Sequence, residues 1–429
     1  MSDMRYCDGT SVRAIEKGRG VSGKKSVQKR GLATKALIVA LFTVFGAAVG
    51  YLAGHLTRGT ESPDADPLGT AAWIVALVLL LAAAYFLQVV VHEAGHLAFG
   101  LATGYRFRSF RVGSLMLVQQ DGRLHFRRFS VQGTGGQCLM APPDLVDGRI
   151  PYRLYNLGGA LANVLVGLAA AVPAFLLPKG LSTAFFAFVA IIGLAFALTN
   201  GLPLTVGGVN NDGKNLRAAG EGPEALQAFW TILKISEAQA DDVRTKDMPA
   251  AWFAAPAEPE QLRNLLVASV AVVACSRFLD EGRIAEAAEA IRNLLEGETS
   301  MLGLHRSLLK IDLAYCELMA GKGAQEVERI LDADARKLMK AMKNYPSVLR
   351  TRHALALLAE GDEEKARRVR EEFGRMATRH PYPSEIEGER ELMDAAAARF
   401  SERVECETAA RMAKAQGIGT HATEEGAPA

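Results

Sequence analysis

Four apolar stretches that contain almost no charge constrain this chain more than any other feature. A helix needs about 20 apolar residues to cross the hydrocarbon core of a bilayer, and each stretch approaches that length. The predicted spans cover about residues 36–54, 70–102, 154–177 and 181–203. We therefore expect a multi-pass α-helical membrane protein with about four transmembrane helices in a lipid bilayer.

The basic residues predict the orientation of these spans, because loops rich in Lys and Arg stay in the cytoplasm. Residues 1–34 form a basic arm, and the loop between the second and third spans is rich in arginine. The loop between the first two spans carries a single arginine, Arg58. Both termini are therefore expected in the cytoplasm, and the expected location is a prokaryotic cell membrane.

Composition excludes one class of function and argues against one kind of metal site. The chain has 49 basic and 47 acidic residues and a net charge of +2, whereas nucleic-acid binding needs clustered positive charge. We therefore expect no nucleic-acid partner. The five cysteines are far apart and none forms a CxxC pair, which argues against a disulfide framework or a cysteine-ligated zinc ion.

Residues 92–96, within the second span, read HEAGH and place three ionisable side chains in a membrane helix. Each would cost about 2.5–3.5 kcal/mol at the bilayer centre, so a functional reason is expected. His92 and His96 share one helix face, which is the spacing of two zinc ligands. Glu93 would then lie beside the metal, where a glutamate can accept a proton from water. A chance HExxH in a chain with 8 histidines has a probability of about one in a hundred, so we interpret the motif as a Zn²⁺ site.

A catalytic zinc ion usually has three protein ligands, so a third must come from elsewhere in the chain. Asp212 lies in a Gly-rich segment where the fourth span returns to the cytoplasmic side, the side that also holds HEAGH. Irregular backbone is tolerated at that depth when it lines a protein cavity. We favour Asp212 over three loop residues that remain alternatives, namely Asp121, Asp144 and Asp147.

The order of these motifs resembles the site-2 protease family of intramembrane zinc metalloproteases. The motifs are HEAGH in one span, GGALAN at 158–163 in the next, and then Asn200-x-x-Pro203 and Asp212-Gly213. The resemblance covers roughly residues 70–216, and we assign residues 35–216 to a transmembrane zinc metalloprotease domain.

The resemblance implies a role for each site residue and an activity. His92, His96 and Asp212 would bind Zn²⁺. Glu93 would be the general base, and Asn200 would contact the substrate near the scissile bond. The expected activity is hydrolysis of peptide bonds in membrane-anchored proteins or leftover signal-peptide fragments. The alternative is a zinc-binding membrane protein without proteolytic activity that recruits cytoplasmic partners.

Small residues near the start of the third span predict close helix packing. They are Gly158, Gly159, Ala160 and Ala162. A role for Asn163, in the same motif, stays open at this point.

The loop between the second and third spans predicts a membrane-associated β-hairpin. Apolar residues between positions 107 and 118 precede Asp121-Gly122, which provides the turn, and apolar and polar residues alternate after it over 124–131. An exposed strand edge there could hold an unwound substrate segment by strand addition. An amphipathic hairpin that lies on the membrane is an equal alternative. Cys138, which follows, is interpreted as a small packing residue and not as a nucleophile.

Residues 217–413 are charge-rich and helical in pattern, which predicts a separate all-α cytoplasmic domain. A Leu-x-x-Gly pattern recurs at Gly282, Gly321 and Gly361, at intervals of 39 and 40 residues. This repeat resembles a tetratricopeptide-like solenoid, whose concave surface would bind a cytoplasmic protein partner, and a plain helical bundle is the alternative. Residues 414–429 are small and polar and predict a disordered tail.

Overall fold

A computed structural model describes residues 36, 38–41, 43–52, 54–55, 67–120, 122–128, 135–206, 209–380 and 382–420. The predicted basic arm, the alternative ligand Asp121 and the end of the predicted tail lie outside the described residues. The described chain is mostly helical and includes a small antiparallel sheet.

Apolar helices occupy the positions of the predicted spans. They are α1 (Ile38–Leu52), α2 (Pro67–Ala102), α3 (Tyr152–Leu176) and α4 (Leu181–Gly201). By length and composition, α2, α3 and α4 can each cross a membrane, so the described residues contain three such helices where four were predicted. Residues 36, 54 and 55 are helical as well, and residues 37, 42 and 53 lie outside the described residues, so the length of the first predicted span stays a prediction. The three long helices indicate a membrane protein.

Large apolar side chains cover the outward faces of these helices. Phe86 on α2, Phe175 on α3 and Leu198 on α4 are exposed, Phe175 to 88%. An extended exposed apolar surface of this kind fits contact with lipid. Leu77 of α2 and Phe188 of α4 are buried in the core that these helices share.

A four-stranded antiparallel sheet lies between α2 and α3 in the chain. Its strands are β1 (Arg106–Val112), β2 (Leu115–Gln120), β3 (Arg123–Arg128) and β4 (Gly136–Ala141), in the order β3-β2-β1-β4. Gln120 pairs with Arg123 across the predicted turn, which confirms the hairpin. The single first strand expected over 107–118 is wrong, because a second turn at Gly113-Ser114 divides it into β1 and β2. Gly113 has φ +59°, a left-handed conformation that glycine adopts without a steric penalty.

Charged contacts attach this sheet to helix α6 of the C-terminal region. Glu237 accepts hydrogen bonds from Arg108 at 2.6 Å, Arg106 at 3.0 Å and Lys234 at 2.7 Å. Burial would raise the pKa of Glu237, but the hydrogen bonds from Lys234, Arg108 and Arg106 lower it to about 2. The carboxylate is therefore charged at neutral pH and holds the outer arginines of β1 in place.

The rest of the chain is a short strand pair followed by helices. The strands are β5 (Thr205–Val206) and β6 (Val209–Asn210). The helices are α5 (Asp212–Ala219), α6 (Pro223–Ala240), α7 (Leu265–Asp280), α8 (Ile284–Glu296), α9 (Gly303–Met319), α10 (Ala324–Ile330), α11 (Ala333–Ala341), α12 (Pro346–Ala354), α13 (Glu363–Ala377) and α14 (Pro383–Thr420). Three short 3₁₀ turns lie between α6 and α7, and a π-helical segment, Leu355–Glu360, continues α12. α14 runs through the first residues of the predicted tail.

The three repeated glycines each end a helix and start the next one. Gly282, Gly321 and Gly361 have φ values of +73°, +79° and +67°, the left-handed geometry of a helix C-terminus. The residues that follow the first two glycines, Arg283 and Lys322, each donate a backbone hydrogen bond to the carbonyl five residues earlier in the chain. After Gly361, the Asp362 N–H donates to the carbonyl six residues earlier, because the π-helical segment adds one residue. The predicted glycine turns between helices are therefore present.

A buried charge cluster lies among α9, α12 and α14. Arg350 is 1% exposed and donates to Asp312, and its guanidinium lies 3.1 Å from the Glu389 carboxylate. Burial raises the pKa of Glu389 to about 7, although Arg350 opposes the shift. α14 thus carries a carboxyl group that is only partly ionised at neutral pH.

The chain divides into two compact units. One comprises the described residues up to Gly95 together with Gly159–Leu204, and the other comprises His96–Gly158 and the described residues from Thr205 onward. The first contains α1, α4 and most of α2 and α3. The second contains the sheet and the C-terminal helices, with a core that includes Cys275, Tyr315 and Val348. The domain boundary between residues 216 and 217 stays a prediction.

Candidate metal centre

Three of the predicted site residues come together. The potential ligand atoms of His92, His96 and Asp212 all lie within 4.8 Å of one another. His96 Nε2 and Asp212 Oδ2 are 3.3 Å apart. Two imidazoles and a carboxylate form a donor set that suits a divalent transition metal such as Zn²⁺. The selection of Asp212 as the third member is thus supported by position.

The helical periodicity of α2 places the two histidines. His92 and His96 are separated by about one turn and are buried, at 8% and 7% exposure. Glu93 lies next to His92 in the sequence and is also buried, at 7%. Histidine and glutamate are seldom buried without a specific reason, so this turn of α2 is a candidate site independently of the motif.

A helix cap fixes the backbone around Asp212. Asn211 precedes α5 as its N-cap, and its side chain accepts a hydrogen bond from the Lys214 N–H at 3.0 Å. Asp212 is therefore the first residue of α5. The segment predicted to be irregular contains the β5–β6 pair, in which the Thr205 hydroxyl donates to Asn210 Oδ1 at 3.0 Å.

The alternative ligands lie elsewhere on the surface. Asp144 and Asp147 are exposed, and neither belongs to a metal-binding group among the described residues. Asp147 has φ +49°, which is typical of a tight turn. Their interpretation as loop and turn residues fits the structure.

The Nδ1 atoms of His92 and His96 each form a hydrogen bond with an oxygen atom. His96 Nδ1 lies 2.7 Å from the backbone oxygen of Tyr155, and His92 Nδ1 lies 2.7 Å from Asn163 Oδ1. A backbone carbonyl can only accept, so His96 carries a proton on Nδ1, and its Nε2 atom is the one that faces Asp212. Metal-binding histidines have this same outer hydrogen bond. Nε2 is thus the His96 atom that would bind a metal.

Tyr155 connects His96 to the sheet. Its hydroxyl donates to the backbone oxygen of Cys138 in β4 at 3.2 Å, and its ring stacks on Tyr105 at 4.5 Å. Cys138 is 93% buried in the same apolar core, which fits its interpretation as a packing residue. The sheet therefore helps to position a residue that holds a candidate ligand.

Gly159 allows α3 to approach the His92 ring. A Cβ atom at this position would lie 2.5–2.7 Å from the ring atoms, far inside van der Waals contact. The predicted close packing through small residues is therefore confirmed at Gly159, and its neighbour across the contact is a candidate metal ligand.

Asn200 lies at the end of α4 and is half-buried. Its amide donates to the backbone oxygen of Phe196 at 3.0 Å, and the Phe196 ring contacts the His92 ring edge-on at a centroid distance of 6.5 Å. Its predicted contact with substrate and the predicted role of Glu93 stay predictions.

Sequence reasoning missed the atoms that orient the histidines. Asn163 was noted only as part of GGALAN, and the Tyr155 carbonyl has no sequence signal at all because any residue supplies one. A polar residue in an otherwise apolar span was the available signal for Asn163.

Comparison with known proteins adds no relative. No protein-family model matches this chain, and no curated protein or solved structure matches it significantly. The family resemblance therefore depends on the order of the motifs in the sequence.

Proposed function

We propose that this chain is an intramembrane zinc-dependent endopeptidase of the site-2 protease type, which hydrolyses peptide bonds in membrane-anchored proteins or peptides. The observation that carries the proposal is the His92, His96 and Asp212 group with Glu93 between the two histidines on a helix of membrane-spanning length. Few functions other than hydrolysis require a glutamate beside a metal site within an apolar helix.

The donor set supports zinc. HExxH with a distant carboxylate gives two nitrogen ligands and one oxygen ligand, which leaves a coordination position open. Zinc bound there would lower the pKa of a coordinated water to about 7 and polarise a peptide carbonyl. Glu93 accepts the proton at its carboxylate and passes it to the leaving amine. Burial of Glu93 excludes bulk water from that transfer.

The free edge of β3 supports a way of presenting substrate. β3 is an outer strand, and no strand pairs with its other edge in the part of the chain that the structure describes. A scissile segment must leave its helix before it is cut, and an exposed strand edge can hold it in an extended form. Leu124 and Phe126 on β3 are 59% and 69% exposed, so the same strand also suits the membrane surface. Both interpretations keep the sheet at the membrane.

The orientation and the C-terminal region complete the proposal. The charge distribution supports a cytoplasmic location for both termini. The helix pairs joined at the repeated glycines support a tetratricopeptide-like surface that binds a cytoplasmic protein partner.

The experiment compares membrane proteomes of cells that express wild type or Glu93→Gln. The amide of glutamine cannot accept a proton, so an uncut single-span protein should accumulate in the variant while zinc content stays at about one per chain. Glu224→Gln, an exposed residue of α6, is the matched control and should behave as wild type. If Glu93→Gln binds zinc and no membrane protein accumulates, the non-proteolytic alternative replaces the proposal.

A further inference from the structure

Two fully buried amide side chains lie in the membrane helices beside His92. Gln88 on α2 and Asn163 on α3 are both 0% exposed. Gln88 is one helical turn before His92, and it was not singled out by sequence reasoning. Burial of an amide costs free energy unless its donors and acceptors are paired, so each partner here is informative.

The hydrogen bonds of this amide pair have a fixed direction. Gln88 Nε2 donates to the backbone oxygen of Val189 on α4 at 2.8 Å. That oxygen can only accept, so the nitrogen end of the Gln88 amide must face α4 and Oε1 must face Asn163. Asn163 Nδ2 then donates to Gln88 Oε1 at 2.7 Å and to the Gln88 backbone oxygen at 2.9 Å.

The orientation of the Asn163 amide determines which of its atoms faces His92. With its nitrogen committed to two Gln88 oxygens, Asn163 presents Oδ1 to His92 Nδ1 at 2.7 Å. An oxygen there requires a proton on Nδ1, so Nε2 is the His92 atom that would bind a metal. A reversed Asn163 amide would set its oxygen against both Gln88 oxygens and its NH₂ against His92, which would favour the other tautomer.

The packing of α4 allows this arrangement. A Cβ atom at Gly193 would lie 2.6 Å from Gln88 Nε2 and 2.8 Å from the Asn163 backbone oxygen. Only glycine leaves room for the amide pair at this point. α4 therefore leaves space for the pair at Gly193 and also accepts a hydrogen bond from it at the Val189 carbonyl.

We propose that Gln88 is a positioning residue that fixes the tautomer of His92 by orienting the Asn163 amide. This assignment rests on the proposed metal site. The alternative is that Gln88 only stabilises helix association through its hydrogen bonds. In that case its removal would not change which nitrogen of His92 is protonated.

The first test measures zinc affinity of the full-length protein in detergent by competition with a chromophoric chelator. Gln88→Leu removes one of the two acceptors of Asn163 Nδ2 and leaves the backbone oxygen of residue 88, so the zinc dissociation constant should rise by about tenfold, the lower end of the usual effect of removing a group that orients a ligand. Leu77→Ala, which removes buried packing from the same helix, should lower thermal stability and leave the dissociation constant unchanged. Equal dissociation constants for Gln88→Leu and wild type would overturn the assignment.

The second test uses Asn163→Asp. Both carboxylate oxygens accept, so the orientation of this side chain no longer matters to His92. Adding Gln88→Leu to Asn163→Asp removes the Gln88 side-chain oxygen that would face the carboxylate, so it should not weaken zinc binding further. A Gln88 that only stabilises helix packing would give the same loss in both backgrounds, and that result would overturn the assignment.

A third readout separates this inference from the proposed function. Side-chain ¹⁵N NMR of metal-free protein labelled at histidine should show His92 as the Nδ1–H tautomer in wild type and as a mixture in Gln88→Leu. This measurement requires neither zinc nor substrate. If wild type binds no zinc at His92, the proposed function fails, while the tautomer spectra still decide whether Gln88 orients Asn163.

Discussion

Gly159→Ala is the smallest change that should disturb the metal site. The added methyl would lie 2.5 Å from His92 Cε1, 2.6 Å from Nδ1 and 2.7 Å from Nε2. Carbon atoms in ordinary contact are about 3.5–4.0 Å apart, so the ring must move by about 1 Å. That displacement would also lengthen the 2.7 Å hydrogen bond between His92 Nδ1 and Asn163.

The expected loss is specific to metal binding. We expect zinc affinity to fall about 10- to 100-fold, or about 1.4–2.7 kcal/mol. Alanine is a better helix former than glycine by about 1 kcal/mol, whereas overpacking costs about 1–3 kcal/mol. The two effects partly cancel, so the metal-free protein should lose little thermal stability.

The assay is chelator competition on purified protein, with thermal unfolding measured on the same samples. Gly201→Ala is the matched control, because a Cβ atom there would lie 3.7 Å from the Ala160 Cβ, an ordinary contact. Its zinc affinity should equal that of wild type. A wild-type zinc dissociation constant for Gly159→Ala would refute the argument that α3 is fitted to the His92 ring.

Three further predictions concern other parts of the chain. Asp212→Ala should weaken zinc binding by orders of magnitude and stop cleavage, whereas Asp144→Ala should leave both unchanged in metal analysis and cleavage assays, because Asp144 is already solvated. Reporters fused after Thr420 and within the N-terminal arm should be cytoplasmic and one at Ser62 external, and an external C-terminus would overturn the predicted topology. Burial raises the pKa of Glu389 from about 4.5 to about 7, so the folded protein binds a proton that the unfolded chain has released, and the free energy of unfolding should fall as the pH rises through that window. Urea titrations should show a flatter dependence for Glu389→Gln, and an unchanged slope would contradict the assignment.

The parts of the site that depend on local periodicity could be predicted from the sequence. His92 and His96 share a helix face because of the helical repeat alone, and Asp212 was selected from its expected position after the fourth apolar segment. The orienting contacts could not be predicted in this way. Asn163 and Gln88 are 75 residues apart, and nothing local specifies which polar groups of two packed helices will meet.

The sheet shows the same limit. The Asp121-Gly122 turn has a strong local signal, whereas Gly113-Ser114 lies within an apolar run and was read as part of one strand. Pairing of β1 with β4 joins Phe110 to Cys138 across 28 residues, so it depends on tertiary packing.

The two histidines are held by different kinds of atom, and this has a consequence for how the protein can evolve. Every amino acid at position 155 would present a main-chain oxygen to His96, so no substitution there removes the acceptor itself. The hold on His92 comes from a side chain, which a single codon change at Asn163 can remove. Heritable variation in metal affinity should therefore arise around His92, and a laboratory selection for weaker or tighter binding should recover substitutions at Asn163 and Gln88 before any at Tyr155.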